Sequence, residues 1–129
     1  MARMIQVGSR TPWGKADHIQ TYANGIVFAS TPSHGGYKVP ATLNKTIDPA
    51  YRAYAKLWSG SESWYEEDIA YQAIHLSFPD IFPHSEEARE SFRTTLSKYM
   101  KEYGLTPAVN SFEALGRTLG TSKPNTRLW

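Results

Sequence analysis

The dipeptide Asn24-Gly25, set between two β-prone runs, is the feature that most limits what this chain can become. Residues 18–22 (HIQTY) and 26–30 (IVFAS) flank it. Asn-Gly takes positive φ readily, and the resulting turn matches the twist of two antiparallel strands, so a hairpin is predicted. A third run at residues 37–39 follows Ser33-His34-Gly35-Gly36, which reads as a second tight turn, and it stops at Pro40. The expectation is a meander of about three strands, too small to stand without a helical layer over one face. Upstream, Thr11-Pro12-Trp13-Gly14 reads as a turn, and residues 4–7 as either a short strand or a loose arm.

Beyond residue 41 the texture is helical. Asp48-Pro49 places an N-cap before a proline at the first helical position, which predicts a helix over residues 49–58 that ends at Ser59-Gly60. Residues 61–83 (SESWYEEDIAYQAIHLSFPDIFP) hold the longest clean helix signal in the first two-thirds of the chain. Ser63 and Glu66 form an S-x-x-E capping box, and Phe78-Pro79 stops the predicted helix over residues 63–77. Trp64, Asp68, Tyr71 and His75 would share one of its faces. Phe78, Ile81 and Phe82 make residues 78–83 a packed connector despite their two prolines. Ser85 caps a longer helix that ends at Gly104, and Phe92, Leu96, Tyr99 and Tyr103 form one apolar stripe along it. A last short helix is expected from Thr106-Pro107 to about Leu115, with residues 117–129 a flexible tail. The sum is an α+β fold, a small antiparallel β-meander packed against a layer of about three to four helices, in one domain over residues 1–116.

At 129 residues, such a domain buries roughly two-thirds of its unfolded surface without staples. With no cysteine, there is neither a disulfide framework nor a thiolate metal site. No histidines pair at i, i+4, so zinc is not expected, and no cofactor is called for. An oxygen-ligated Mg-type site on the acids is the one metal alternative. The formal charge of +2 is scattered, and Arg117, Lys123 and Arg127 are too sparse for a phosphate-binding patch, so nucleic acid is an unlikely partner. No window approaches ~20 apolar residues, so no membrane partner is expected. The first ten residues lack the apolar segment of a secretion signal, and a cytoplasmic location is the plain reading.

Candidate chemistry gathers at two places. The acids Glu66, Glu67 and Asp68 sit among Trp64, Tyr65 and an apolar helix. They are either a cap favoured by the helix N-terminus or a site in which Glu67 or Asp68 touches a ligand or metal, with a salt bridge as third option. Around His34, the amides of Gly35 and Gly36 can form an anion-binding concavity beside a base, or the segment is simply a turn. Trp13 is either a packing anchor or a stacking platform. His75 reads as an interior histidine, His18 and His84 as surface ones. Catalytic candidates are His34, Glu67 and Asp68, and ligand-binding candidates are Trp13, His34, Gly35, Gly36, Trp64 and Tyr65. No H-E-x-x-H, P-loop, G-x-S-x-G or dinucleotide fingerprint is present, and the reading leans away from an enzyme.

Three blocks, TPWGKAD, GIVFASTPSHGGYKV and SWYEEDIAY, occur in order between residues 11 and 71. Together they resemble a family of small domains found in bacteriophages, prophages and plasmids, with T-P-W-G, S-H-G-G and W-Y-E-E-D motifs. The resemblance covers residues 11 to about 83 and marks Trp13, His34, Gly35, Gly36, Trp64, Tyr65, Glu66, Glu67 and Asp68. It implies a mobile-element accessory protein of the kind that blunts host defence, and it carries no catalytic role. The first expectation is therefore a counter-defence inhibitor that binds a host or defence-system protein through surface aromatics such as Tyr51, Tyr54 or Trp129. The rival is a nucleotide-like small-molecule binder, or a small hydrolase, built on the His34-Gly35-Gly36 turn with Glu67 or Asp68. Both turn on whether His34 and the acids meet in space.

Overall fold

The computed structural model describes residues 5–108. Residues 5–7 form no strand there. The fold is α+β. Strands β1 (Arg10–Thr11) and β2 (Gly14–Lys15) make a small hairpin around Pro12-Trp13. Thr11 organises that turn: its Oγ1 accepts from the Trp13 amide at 3.1 Å and donates to the Gly14 carbonyl at 2.8 Å. The main sheet holds β3 (His18–Thr21), β4 (Val27–Ser30), β5 (Gly35–Lys38) and β6 (Trp64–Glu66), antiparallel and in that order. The β3–β4 turn forms as its sequence dictates, with Asn24 at φ 61° and Gly25 at φ 85°.

Two expectations fail in the sheet. The predicted second turn at Ser33-His34-Gly35-Gly36 ends sooner, because Thr31 Oγ1 gathers the amides of Ser33 and His34 and the His34 carbonyl into a compact reversal. Gly35 and Gly36 therefore lie inside β5, between β4 and β6, and form no anion-binding turn. Likewise the predicted helix over 63–77 begins as a strand. Trp64, Tyr65 and Glu66 pair with Lys38, Tyr37 and Gly36, which adds a fourth strand to the expected three. Aromatic residues favour the pleated surface, and a glycine-bearing strand beside them outweighs a local helix signal.

Helices α1 (Ala41–Asn44), α2 (Pro49–Ser59), α3 (Tyr71–Ser77) and α4 (Glu86–Lys101) complete the described chain. Asp48 caps α2 through Ala50 N–H at 2.8 Å, and Gly60 ends it at φ 78°. Ser85 caps α4 through Ala88 N–H at 3.1 Å. Alternation along the strands gives the sheet two dressed faces. One face carries Tyr37, Val39 and Tyr65 against Tyr51, Tyr54 and Ala55 of α2, Ile74 of α3, and Leu96 and Met100 of α4. Phe82 of the connector joins the same core. The other carries Ile19, Ala29 and Trp64 against Ala16, Trp13 and Ile5. Tyr51 and Tyr54, expected as surface anchors, are thus core residues. The predicted helix toward Leu115, the tail over 117–129 and Trp129 lie outside the described residues.

Candidate functional site

The pairing of β5 with β6 decides where the motif residues go. Glu67 N–H donates to the Gly35 carbonyl at 3.0 Å, which extends the ladder by one step past Glu66. That step brings the side chains of His34 and Glu67 together at the sheet's end, with Nδ1 3.8 Å from Oε2. Both are largely exposed, 56% and 39%. At that separation there is charge attraction once the imidazole is protonated but no hydrogen bond, and in open solvent such a pair contributes at most about 1 kcal/mol.

The other acids part company with Glu67. The Glu66 carboxylate is buried and accepts from the amides of Asp68, Ile69 (3.1 and 3.0 Å to its two oxygens) and Ala70 (2.8 Å). It holds the turn that joins β6 to α3, and the expected capping box does not form: its partners lie ahead of it and before Tyr71, and Ser63 instead accepts from Lys38 Nζ at 3.0 Å. Asp68 is exposed in the turn that follows β6.

The predicted ligand contacts are mostly interior. Trp13 packs edge-on against Trp64, with ring centroids 5.7 Å apart at 88°. Trp64, Tyr65, Gly35 and Gly36 are buried. The Tyr65 hydroxyl donates to Asn44 Oδ1 at 2.7 Å, and burial raises its pKa well above the ordinary phenol value. This cluster is a scaffold that presents one surface imidazole–carboxylate pair.

Elsewhere the helices leave an aromatic surface that motif reading did not find. Leu57 and Trp58 end α2, and Tyr99 and Tyr103 lie at the end of α4 and just past it; they are exposed by 51%, 50%, 36% and 46%. The Trp58 and Tyr103 rings meet edge to face at 6.0 Å, and both rest on buried Tyr54, at 6.3 and 6.2 Å. Burial pushes the Tyr54 phenol up to about 12. The stripe predicted along α4 is apolar as expected, but only its first half is covered. With 16 residues, ~24 Å, α4 outruns the 7 residues, ~10 Å, of α3 packed beside it. Periodicity alone would bury Trp58, which follows Tyr51, Tyr54 and Ala55 at helical spacing. Leu57, off that arc, was the visible sign of a second apolar face.

A third polar feature crosses the core. Tyr37 hydroxyl and His75 Nε2 are 2.9 Å apart, and His75 Nδ1 and His84 Nε2 are 2.8 Å apart, which links a buried phenol to the surface. Burial, then the neighbouring His84, push the His75 pKa down to about 4. Among the described residues, no three or more His, Asp or Glu side chains gather as metal ligands would, and no helix is long and apolar enough to cross a membrane.

A family model described as a domain of unknown function, DUF7007, matches residues 6–114. No curated protein and no solved structure matches the chain.

Proposed function

We propose that this chain, which belongs to the DUF7007 family of domains of unknown function, acts by binding another protein and not by catalysis. What carries the reading is the Trp58–Tyr103 pair: two large aromatic rings, half exposed, held edge to face on a buried tyrosine at the ends of α2 and α4. Rigid aromatics on a fixed base lose little side-chain entropy on docking, which is why Trp and Tyr dominate interface energetics. Leu57 and Tyr99 widen the apolar area. Lys56, Lys98 and Lys101 are exposed beside these residues in sequence, against one exposed acid, Glu102, and Lys98 Nζ stands 5.8 Å from the Tyr99 ring centroid. The partner surface that fits has an apolar pocket rimmed by carboxylates. The phage and plasmid setting implied by the motif resemblance makes that partner a host or defence-system protein. The rival reading, a nucleotide-like ligand cradled at His34-Gly35-Gly36, loses its cradle because Gly35 and Gly36 lie in a strand paired on both sides.

The test is affinity capture from a bacterial host lysate with wild-type protein and with Trp58→Ser and Tyr103→Ser. A single stoichiometric partner should be retained by wild type and lost by both variants, with their melting temperatures within a few degrees of wild type. No stoichiometric partner, or one retained equally by the variants, overturns the reading.

A further inference from the structure

Between β5, α1, α2 and the chain that leads into β6 lies a cavity of about 320 Å³, lined by none of the acids Glu66, Glu67 and Asp68 and by none of the exposed aromatics. Its polar lining is unbalanced. Lys38, Lys45 and Arg52 contribute three cations, and Glu62 is the one carboxylate. Glu62 is exposed and lies 3.8 Å from Arg52, whose Nε is already engaged with the Ile47 carbonyl at 3.1 Å. Lys38 is half-buried, and burial lowers its pKa. Its ammonium donates to Ser63 Oγ at 3.0 Å, and among the described residues no carboxylate pairs with it. Ser63 Oγ is in turn 3.1 Å from Ser61 Oγ, and the Lys38 ammonium also stands 5.9 Å from the Trp64 ring centroid.

A half-buried ammonium with a hydroxyl partner and, among the described residues, no carboxylate beside it is stabilised by an anion brought from outside. Three cations against one carboxylate leave the lining a net charge of two positives, which matches a dianion, and the Arg52 guanidinium with lysine ammonium groups is the donor set that phosphate oxygens accept from. The volume lies in the range of small-molecule sites, about 300–1,000 Å³, and leaves room for an organic body behind one phosphate. We propose that this cavity binds a small phosphomonoester, with its phosphate held by Lys38, Lys45 and Arg52 and by the hydroxyls of Ser61 and Ser63. The site is independent of the aromatic surface and shares no residue with it.

The experiment is a two-dimensional amide NMR titration of the full chain at fixed ionic strength, with inorganic phosphate in one arm and adenosine monophosphate in the other. Saturable shifts at Lys38, Ser61 and Ser63 in either arm support the site. Equal affinities identify the phosphate group alone as the ligand, and tighter binding of the monophosphate identifies an organic ester. Lys45→Gln, at an exposed position, should weaken binding roughly tenfold, the loss of one charge-assisted contact. Lys15→Gln, on the remote β2 hairpin, should leave it unchanged. Absence of saturable shifts in both arms, or equal affinity in wild type and Lys45→Gln, overturns the proposal.

Discussion

Trp13 occupies the space that a side chain on Gly36 would need. A Cβ built on Gly36 would stand 2.6 Å from Trp13 Cη2, and equally 2.6 Å from the Tyr65 carbonyl oxygen across the strand pair. The glycine therefore serves close approach: it lets the N-terminal hairpin lie on the sheet and lets β6 sit beside β5. Gly36→Ala should cost about 1–3 kcal/mol, the usual range for overpacking a filled interior. Adding Trp13→Ala to that variant should not restore stability, because the clash with the Tyr65 backbone remains. Denaturant unfolding of the three proteins decides it, and a Gly36→Ala protein as stable as wild type would refute this account.

The neighbouring acids Glu66 and Glu67 should separate by an order of magnitude in equilibrium effect. Glu66 satisfies the amides of Asp68, Ile69 and Ala70 from a buried position, so Glu66→Ala should destabilise by about 1–3 kcal/mol. The Glu67 carboxylate lies 3.8 Å from His34 and in solvent, so Glu67→Ala should change stability by less than about 0.5 kcal/mol. Chemical denaturation at pH 7 reads both. Equal losses would mean that the surface pair is a structural element after all.

Tyr65 tests whether an aromatic of the W-Y-E-E-D motif belongs to the interior or to a ligand. Its hydroxyl holds Asn44 Oδ1, and Asn44 Nδ2 in turn donates to the Glu62 carbonyl at 2.8 Å, which fixes α1 against the start of β6. Tyr65→Phe leaves the Asn44 carbonyl oxygen unpaired in a buried place and should cost about 1–2 kcal/mol. The measurement is again the unfolding midpoint, and an unchanged midpoint would mean that water replaces the hydroxyl.

What could be read in the sequence was set by contacts close along the chain. Asn24-Gly25, the Asp48 cap, the Gly60 stop and the Ser85 cap each depend on a few adjacent residues, and each appears in its expected place. Residues 63–66 were misread because their decisive partners, Gly36 to Lys38, lie more than twenty-five positions earlier. A pairing across that distance overrides an S-x-x-E pattern, and Glu66 instead holds the turn between β6 and α3. The meeting of His34 with Glu67 follows from the same pairing. The cation-lined cavity left no signature at all: Lys38, Lys45, Arg52 and Ser63 come from separate elements and converge only in three dimensions.

His75 makes the fold acid-sensitive in a predictable direction. Its pKa falls from the ordinary 6.5 to about 4 in the folded protein, first through burial and then through His84 beside it. Around the ring stand the aromatic faces of Tyr37, Tyr71, Phe82 and Phe92, and no carboxylate pairs with it among the described residues. Between pH 6.5 and 4 the unfolded chain binds a proton at this position that the folded chain does not, so stability rises with pH across that window. The contribution is complete above pH 6.5 and is lost as the pH falls toward 4. Because the ring is only half-buried, solvent screening reduces the effect to on the order of 1 kcal/mol. Urea unfolding at pH 7 and pH 5 should show that loss in wild type, and His75→Phe, which still stacks on Phe82 but cannot titrate, should lose correspondingly less. Carboxylates titrate in both proteins and cancel in the comparison, so identical losses would place the histidine's pKa near its ordinary value and refute the burial argument.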